Sequence, residues 1–179
     1  IFSHGNMPYI IIASIARLLL EGNEISKKSS YNKFKGWHGP STEKKLTLLE
    51  QHHVDKDTFN TFELIKDKIG LPFLNTDYRA FARWPSYFNC AWKGLNNKVQ
   101  TDLYEKQVSL VHHFAIKKAL SLPNPASLTS KKLIMACEQK YELKEIKEIV
   151  SLFQWLLPGL AINVSYFRAQ LVEENFKNV

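Results

Sequence analysis

The sequence predicts an all-α fold, with antiparallel helices packed around one core. Three observations carry this. No stretch alternates apolar and polar residues long enough to require a strand. Apolar residues recur instead at spacings of three and four through most of the chain. Prolines, glycines and small polar residues fall between those periodic stretches, where helices start and stop. With 179 residues, 45% hydrophobic and 23% charged, the chain is large and apolar enough for a filled core and too apolar to be disordered. It opens at Ile1 in the middle of an apolar pattern, which leads us to expect further residues upstream.

Each element follows in order. Residues 8–21 read as a helix, because Pro8 suits a first turn and Gly22 a stop. Its isoleucines and leucines occupy nearly every side, so burial on most faces is expected. Residues 22–40 are polar and punctuated and read as a linker, in which Tyr31, Phe34 and Trp37 imply contact with a surface. Ser41 or Thr42 can cap a helix to about His53. Asp55 or Asp57 can cap the next, with Phe59, Phe62, Ile65 and Ile69 in register and Gly70 and Pro72 ending it. Asn75 or Thr76 can start a short helix through Trp84. Pro85 starts another, with Tyr87, Phe88, Ala91, Trp92 and Leu95 on one stripe. A long helix is expected from about Asn97 to Ser121, with Leu103, Val108, Val111, Phe114, Ile116 and Leu120 as its apolar stripe. Helices at about 129–140 and 143–157 follow, and Pro158 divides off a last helix to about Glu174. The stretches NMPYIIIASIARLLL and LLPGLAINVSYFRAQL look alike, each with a proline, an apolar run and a later arginine, as repeated units would.

The formal charge of +7 comes from scattered lysines such as Lys27-Lys28 and Lys131-Lys132. No arginine cluster or recognition motif accompanies them, so the sequence points to a solvated basic surface and not to nucleic acid. The cysteines, Cys90 and Cys137, lie in apolar helical contexts and read as buried free thiols, which favours a cytoplasmic protein. The most hydrophobic run, Pro8 to Leu20, is shorter than the roughly 20 residues a bilayer requires, so no membrane partner is expected. Phosphate-loop, dinucleotide, metalloprotease and serine-hydrolase signatures are absent. The adjacent pairs His52-His53 and His112-His113 point about 100° apart on a helix and chelate poorly, so neither a metal nor a cofactor is expected.

The most unusual composition lies between Leu71 and Leu95. Phe73, Tyr78, Phe81, Trp84, Tyr87, Phe88 and Trp92 surround the polar insert Asn75-Thr76-Asp77. Asp77 is either a first-turn acid favoured by the helix dipole or a working carboxylate. Arg79 and Arg83 either clamp a carboxylate or pair with surface acids, and Trp84, Tyr87 and Trp92 read more readily as core than as pocket.

The segment GLPFLNTDYRAFARWPSYFNCAW resembles the active-site stretch of the group I 2-haloacid dehalogenases. The linker KGWHGPS, the start NMP and the end LPGLAINVSYFRAQL are similar to that family too. The resemblance implies two helical repeats joined by a linker into a pseudo-dimer, with the active site between them. Residues 1–21 would then close a first repeat, 22–40 link, and 41–179 form the second repeat. It implies hydrolysis of short 2-haloacids of either configuration, a water displacing halide directly at C2 with inversion and no covalent intermediate. Asp77 would be the base that activates the water, its pKa raised by partial burial. Asn6 would be a second holder of the water, or a plain helix cap. Thr76, with the backbone N–H groups of a helix start, would bind the substrate carboxylate, with Tyr78 and Asn89 beside it. The implied partners are a small anionic 2-haloacid and water, and a homodimer stays open. The alternative is a catalytically inactive helical protein that binds a partner or a small organic acid through the same cleft.

Overall fold

The computed structural model describes residues 2–28 and 46–176. The KGWHGPS linker, with Tyr31, Phe34 and Trp37, and the caps expected at Ser41 and Thr42 lie outside the described residues. Among the described residues the chain is all-α, as expected. The helices are α1 (Phe2–Leu20), α2 (Lys56–Ile69), α3 (Thr76–Phe81), α4 (Pro85–Asn96), α5 (Asp102–Ser121), α6 (Ser130–Glu138) and α7 (Leu143–Phe176). They form two compact units. One comprises Ile1–Gly39 and Gln107–Ile162, the other Pro40–Lys106 and Asn163–Val179.

In the second of these units, α2 starts where Asp55 caps it, Oδ1 accepting from the Thr58 N–H at 2.8 Å. It ends at Gly70, whose left-handed backbone (φ 69°) lets its N–H reach the Lys66 carbonyl. The buried stripe is Thr58, Thr61, Phe62 and Ile65; Phe59, expected inside, is exposed. α4 begins at Pro85 and buries Phe88, Ala91, Trp92 and Leu95 as its periodicity requires. Cys90 projects from the opposite face and is exposed, which corrects the expectation of a buried thiol. Trp84, expected in the core, is also exposed, with the Arg83 guanidinium 5.7 Å above its ring.

The helix expected to reach His53 is not formed at its described end. Residues 46–50 are irregular, followed by a 3₁₀ turn at Gln51–His53. Hydrogen bonds from elsewhere take this segment. The Leu49 N–H donates to the Arg79 carbonyl at 3.1 Å, Glu50 pairs with Arg79, and Gln51 donates to Glu63. α5 starts at Asp102 and not near Asn97, because Gln100 adopts a left-handed conformation (φ 66°) and Thr101 accepts from the Tyr104 N–H at 3.4 Å.

In the unit containing α1, that helix begins at Phe2 and carries Pro8 internally. Thr129 caps α6, accepting from the Lys132 N–H, and Glu24 takes the Ser130 N–H, tying the end of the α1 segment to α6. The buried face of α5 is Val108, His112, Ala115 and Ala119, a strict helical stripe. Leu103, Phe114 and Leu120, expected inside, are exposed. Val108 is buried as expected, but side-chain size misplaced much of the rest, because two alanines and a histidine complete the inner face.

The largest departure is α7, a single 34-residue helix where Pro158 was expected to divide two. A proline inside a helix leaves the carbonyl four residues earlier without its N–H partner. Here that carbonyl belongs to Gln154, and the His112 ring hydrogen-bonds it. Nδ1 of His112 has no partner among the described residues, so Nε2 is the donor. The imidazole also stacks on Trp155, with centroids 4.6 Å apart and planes 11° from parallel. The Gln154 side chain completes the arrangement, donating to Ser14 Oγ at 3.3 Å and accepting from Arg17 at 3.1 Å. α7 is, by length and composition, long and apolar enough to cross a membrane. Its buried stripe nevertheless holds Gln154 and Asn163, each hydrogen-bonded within its own unit, which is the use a packed core makes of such a helix.

Burial holds the His112 pKa below the ordinary histidine value. A histidine depressed in the folded state contributes stability above its unfolded value, near 6.5, and that contribution is lost as pH falls through the folded value. His112→Phe keeps the stack and removes the donor. The variant is expected to lose about 1–3 kcal/mol at neutral pH, because the Gln154 carbonyl is left unpaired. Its stability should also fall less steeply below pH 6.5 in denaturant titrations.

Candidate active site

α3 is only six residues long, and its N-cap Asn75 makes no side-chain capping bond. Such a helix does not persist alone, so its surroundings hold it. On one side the Arg79 carbonyl accepts from Leu49, and the Arg79 guanidinium pairs with Glu50. On the inner side lie Asp77, Tyr78 and Ala80. Arg79 is thus committed to a surface acid and not to a carboxylate clamp. Arg83 donates to Thr47 Oγ1 at 3.2 Å.

Asp77 sits in the first turn and is 4% exposed. A carboxylate there is favoured by the helix dipole, yet it is buried far more than a surface cap needs to be. Behind it is an aromatic floor. The Tyr78 ring lies 6.4, 6.0 and 6.5 Å from Phe88, Trp92 and Phe167, and Phe167 is 5.2 Å from Phe81, edge to face. The Tyr78 hydroxyl accepts from Asn163 Nδ2 at 2.8 Å, and Asn163 Oδ1 accepts from the Tyr104 hydroxyl at 3.0 Å. Tyr78, expected against substrate, is 1% exposed, and its polar tip is engaged within this core.

The other expected site residues fall as follows. Thr76 starts α3 and is exposed beside Asp77, so Thr76, Asp77 and Tyr78 are brought together by adjacency. Asn89 turns toward α2, its amide donating to Thr58 Oγ1 at 3.3 Å. It lines a cavity of about 680 Å³ with Asp57, Asn60, Thr61, Trp92 and Lys93 among its walls. Asn6 is buried on α1, 7% exposed, in the unit that does not contain Asp77.

Sequence reasoning missed Asn163 and Tyr104. The signal was present, since Asn163 is the lone amide in the apolar run GLAINV, and a buried amide demands partners. Burial raises the Tyr104 pKa to about 12 and raises that of Tyr78 further. A tyrosine raised in the folded state contributes stability that is complete below its unfolded pKa, near 10, and is lost as pH climbs through the folded value. Stability should therefore fall between pH 10 and 12. Tyrosinate absorbance from these two residues should appear only with unfolding, and Tyr104→Phe should flatten that decline.

No family model matches the chain. Among curated proteins it is 39% identical over 137 residues to an (R)-2-haloacid dehalogenase of Rhizobium sp. (strain NHG3), covering 76% of this chain and 53% of that protein. It is 30% identical over 176 residues to an (R)-2-haloacid dehalogenase of Pseudomonas putida, covering 97% of this chain and 58% of that one. The chain thus spans somewhat more than half the length of these relatives. Among solved structures it resembles "The complex structure of D-2-haloacid dehalogenase with L-LA" with a TM-score of 0.73 and 27% identity, over 93% of this chain and 58% of that one. A mutant of a D-2-haloacid dehalogenase in complex with D-2-CPA gives the same TM-score at 28% identity and the same coverage. In sequence and in fold the chain matches 2-haloacid dehalogenases over somewhat more than half of their length, which supports its assignment to that family.

Proposed function

We propose that the protein carrying this chain hydrolyses short 2-haloalkanoic acids, with Asp77 drawing a proton from the water that attacks C2. The observation that carries this reading is the placement of Asp77, a carboxylate 4% exposed on a six-residue helix over an aromatic floor. Displacement at carbon needs a nucleophile aligned opposite the departing halide, so rigid positioning supplies much of the barrier reduction. Water is a weak nucleophile, and a fixed carboxylate takes its proton as the new C–O bond forms. Halide leaves with the electron pair of the broken bond, C2 inverts, and no ester to the protein intervenes. Asn75, two residues before the base, has a buried side-chain oxygen without a partner among the described residues, an acceptor suited to a second hydrogen bond from a small polar molecule.

The names of the relatives point to the (R) enantiomer as the substrate, a narrower preference than the resemblance in sequence alone implied. Asn6 is our second candidate for holding the water, and its burial on α1 suits a fixed amide. The two-repeat architecture is supported by parallel burial in α1 and α7. Each helix carries an internal proline, Pro8 or Pro158, and buries the residues two and six positions on, Ile10 and Ser14 or Leu160 and Val164. The exposed free thiol of Cys90 favours the reducing cytoplasm. The test is halide release from (R)- and (S)-2-chloropropanoate by the natural protein carrying this sequence, with Asp77→Asn alongside. Release that depends on Asp77 and favours the (R) acid supports the reading. No release from either acid overturns it in favour of an inactive binding protein.

A further inference from the structure

We propose that Asn163 is a positioning residue that sets the aim of the Asp77 carboxylate through the Tyr78 hydroxyl, an inference that rests on the reading of Asp77 as the base. Consecutive residues on a helix share one rotation about its axis, so whatever fixes Tyr78 also fixes the direction of Asp77. α3 is too short to hold its own orientation and lacks a side-chain cap. Its outer side is held by the Glu50 pair and the bond from Leu49. On the inner side the ring contacts of Tyr78 are edge and tilted packings at 6.0–6.5 Å, which leave a flat ring free to slide in its own plane. The bond from Asn163 Nδ2 to the Tyr78 hydroxyl, at 2.8 Å, stops that slide.

Asn163 bridges two tyrosine hydroxyls. The Tyr104 hydroxyl donates to Asn163 Oδ1 at 3.0 Å, so the amide oxygen faces Tyr104 and the amide nitrogen faces Tyr78. Asn163 is 1% exposed and Tyr78 likewise, so water does not replace either bond. The chain Tyr104–Asn163–Tyr78 therefore ties α3 to the start of α5 and to α7 within one unit. A misplacement of about 1 Å at a reacting group can cost a hundredfold in rate, and loss of this bond permits a movement of that order.

The test compares Tyr78→Phe, Asn163→Leu and the double variant with wild type, using exposed Cys90→Ser as a control. Tyr78→Phe leaves the Asn163 amide N–H without its acceptor, and Asn163→Leu takes a partner from both the Tyr78 and the Tyr104 hydroxyls, so each loses stability; the double variant removes both ends of the Asn163–Tyr78 bond and regains part of the loss. If Asn163 sets the aim, kcat for halide release stays about 10- to 100-fold down in the double variant while KM changes by less than about twofold. Recovery of kcat along with stability would overturn the proposal and leave the bond structural. A second measurement does not need turnover. The ¹³C-detected titration midpoint of the Asp77 carboxyl should move in Asn163→Leu and in the double variant and stay fixed in Cys90→Ser. An unmoved midpoint overturns the proposal, whatever the kinetics. A midpoint that moves in Asn163→Leu while even the wild-type protein releases no halide sustains the positioning role and removes the assigned reaction.

Discussion

Asp77→Asn is expected to lower kcat for halide release by about 10²- to 10⁴-fold, the usual contribution of a positioned general base. Asparagine has nearly the same shape and keeps an acceptor oxygen, so the buried pocket around this 4%-exposed side chain stays filled. It takes no proton from an attacking water at neutral pH, and that is the property removed. The same substitution measures the competing role of Asp77 as a plain helix-dipole acid. In that role its charge is worth about 0.3–1 kcal/mol, so folding stability should change by no more than that. A small stability change with a large loss of kcat identifies a base. A stability change of that size with kcat unaltered identifies a cap, and the proposed chemistry then fails. Because a base acts only as the new bond forms, KM should stay within a few-fold of wild type.

Phe167→Ala is expected to be the most damaging single substitution to the fold of the unit that carries Asp77, at about 3–5 kcal/mol. The side chain has no exposed surface and meets Tyr78, Phe81, Phe88 and Tyr166, so one truncation opens a hole beneath both α3 and α4. Its own carbonyl accepts from the Tyr87 hydroxyl at 2.8 Å, a bond the substitution leaves in place, so the loss reports the ring alone. For a chain of this size, the melting temperature should fall on the order of 10 °C. Phe167→Leu keeps most of the volume and should recover more than half of the loss. Equal melting temperatures for wild type and Phe167→Ala in thermal scans would show that the aromatic floor is not the core we describe.

The parts of this molecule that depend on near neighbours in sequence were legible. Asp55 caps α2 with a bond three residues on, Gly70 closes it, and Pro85 opens α4 with its buried stripe in register. The insert holding Asp77 stood out among seven rings, but the residues alone left that acid open between a cap and a working carboxylate, and only the resemblance implied its partial burial. What the sequence hid depends on distant partners. Pro158 reads as a helix breaker until His112, on another helix, takes the carbonyl it orphans. Asn163 has its meaning through Tyr78, 85 positions away. The inner face of α5 misled for a different reason, since Ala115 and Ala119 make room for close packing and carry little hydrophobic signal of their own. Residues 46–50 yield their hydrogen bonds to α3, a tertiary demand that overrides local helix preference.

The sulfhydryl of Cys90, turned outward on α4, has a practical consequence. Two molecules can meet at this point and oxidise together on standing in air, since an accessible thiol is the one that exchanges. A sample aged without reductant would then run as a covalent pair and mimic a natural assembly. Sedimentation of a Cys90→Ser preparation separates such an artefact from association that belongs to the protein, and with the partly exposed Cys137 replaced the same sulfur offers an attachment point for a fluorophore on α4.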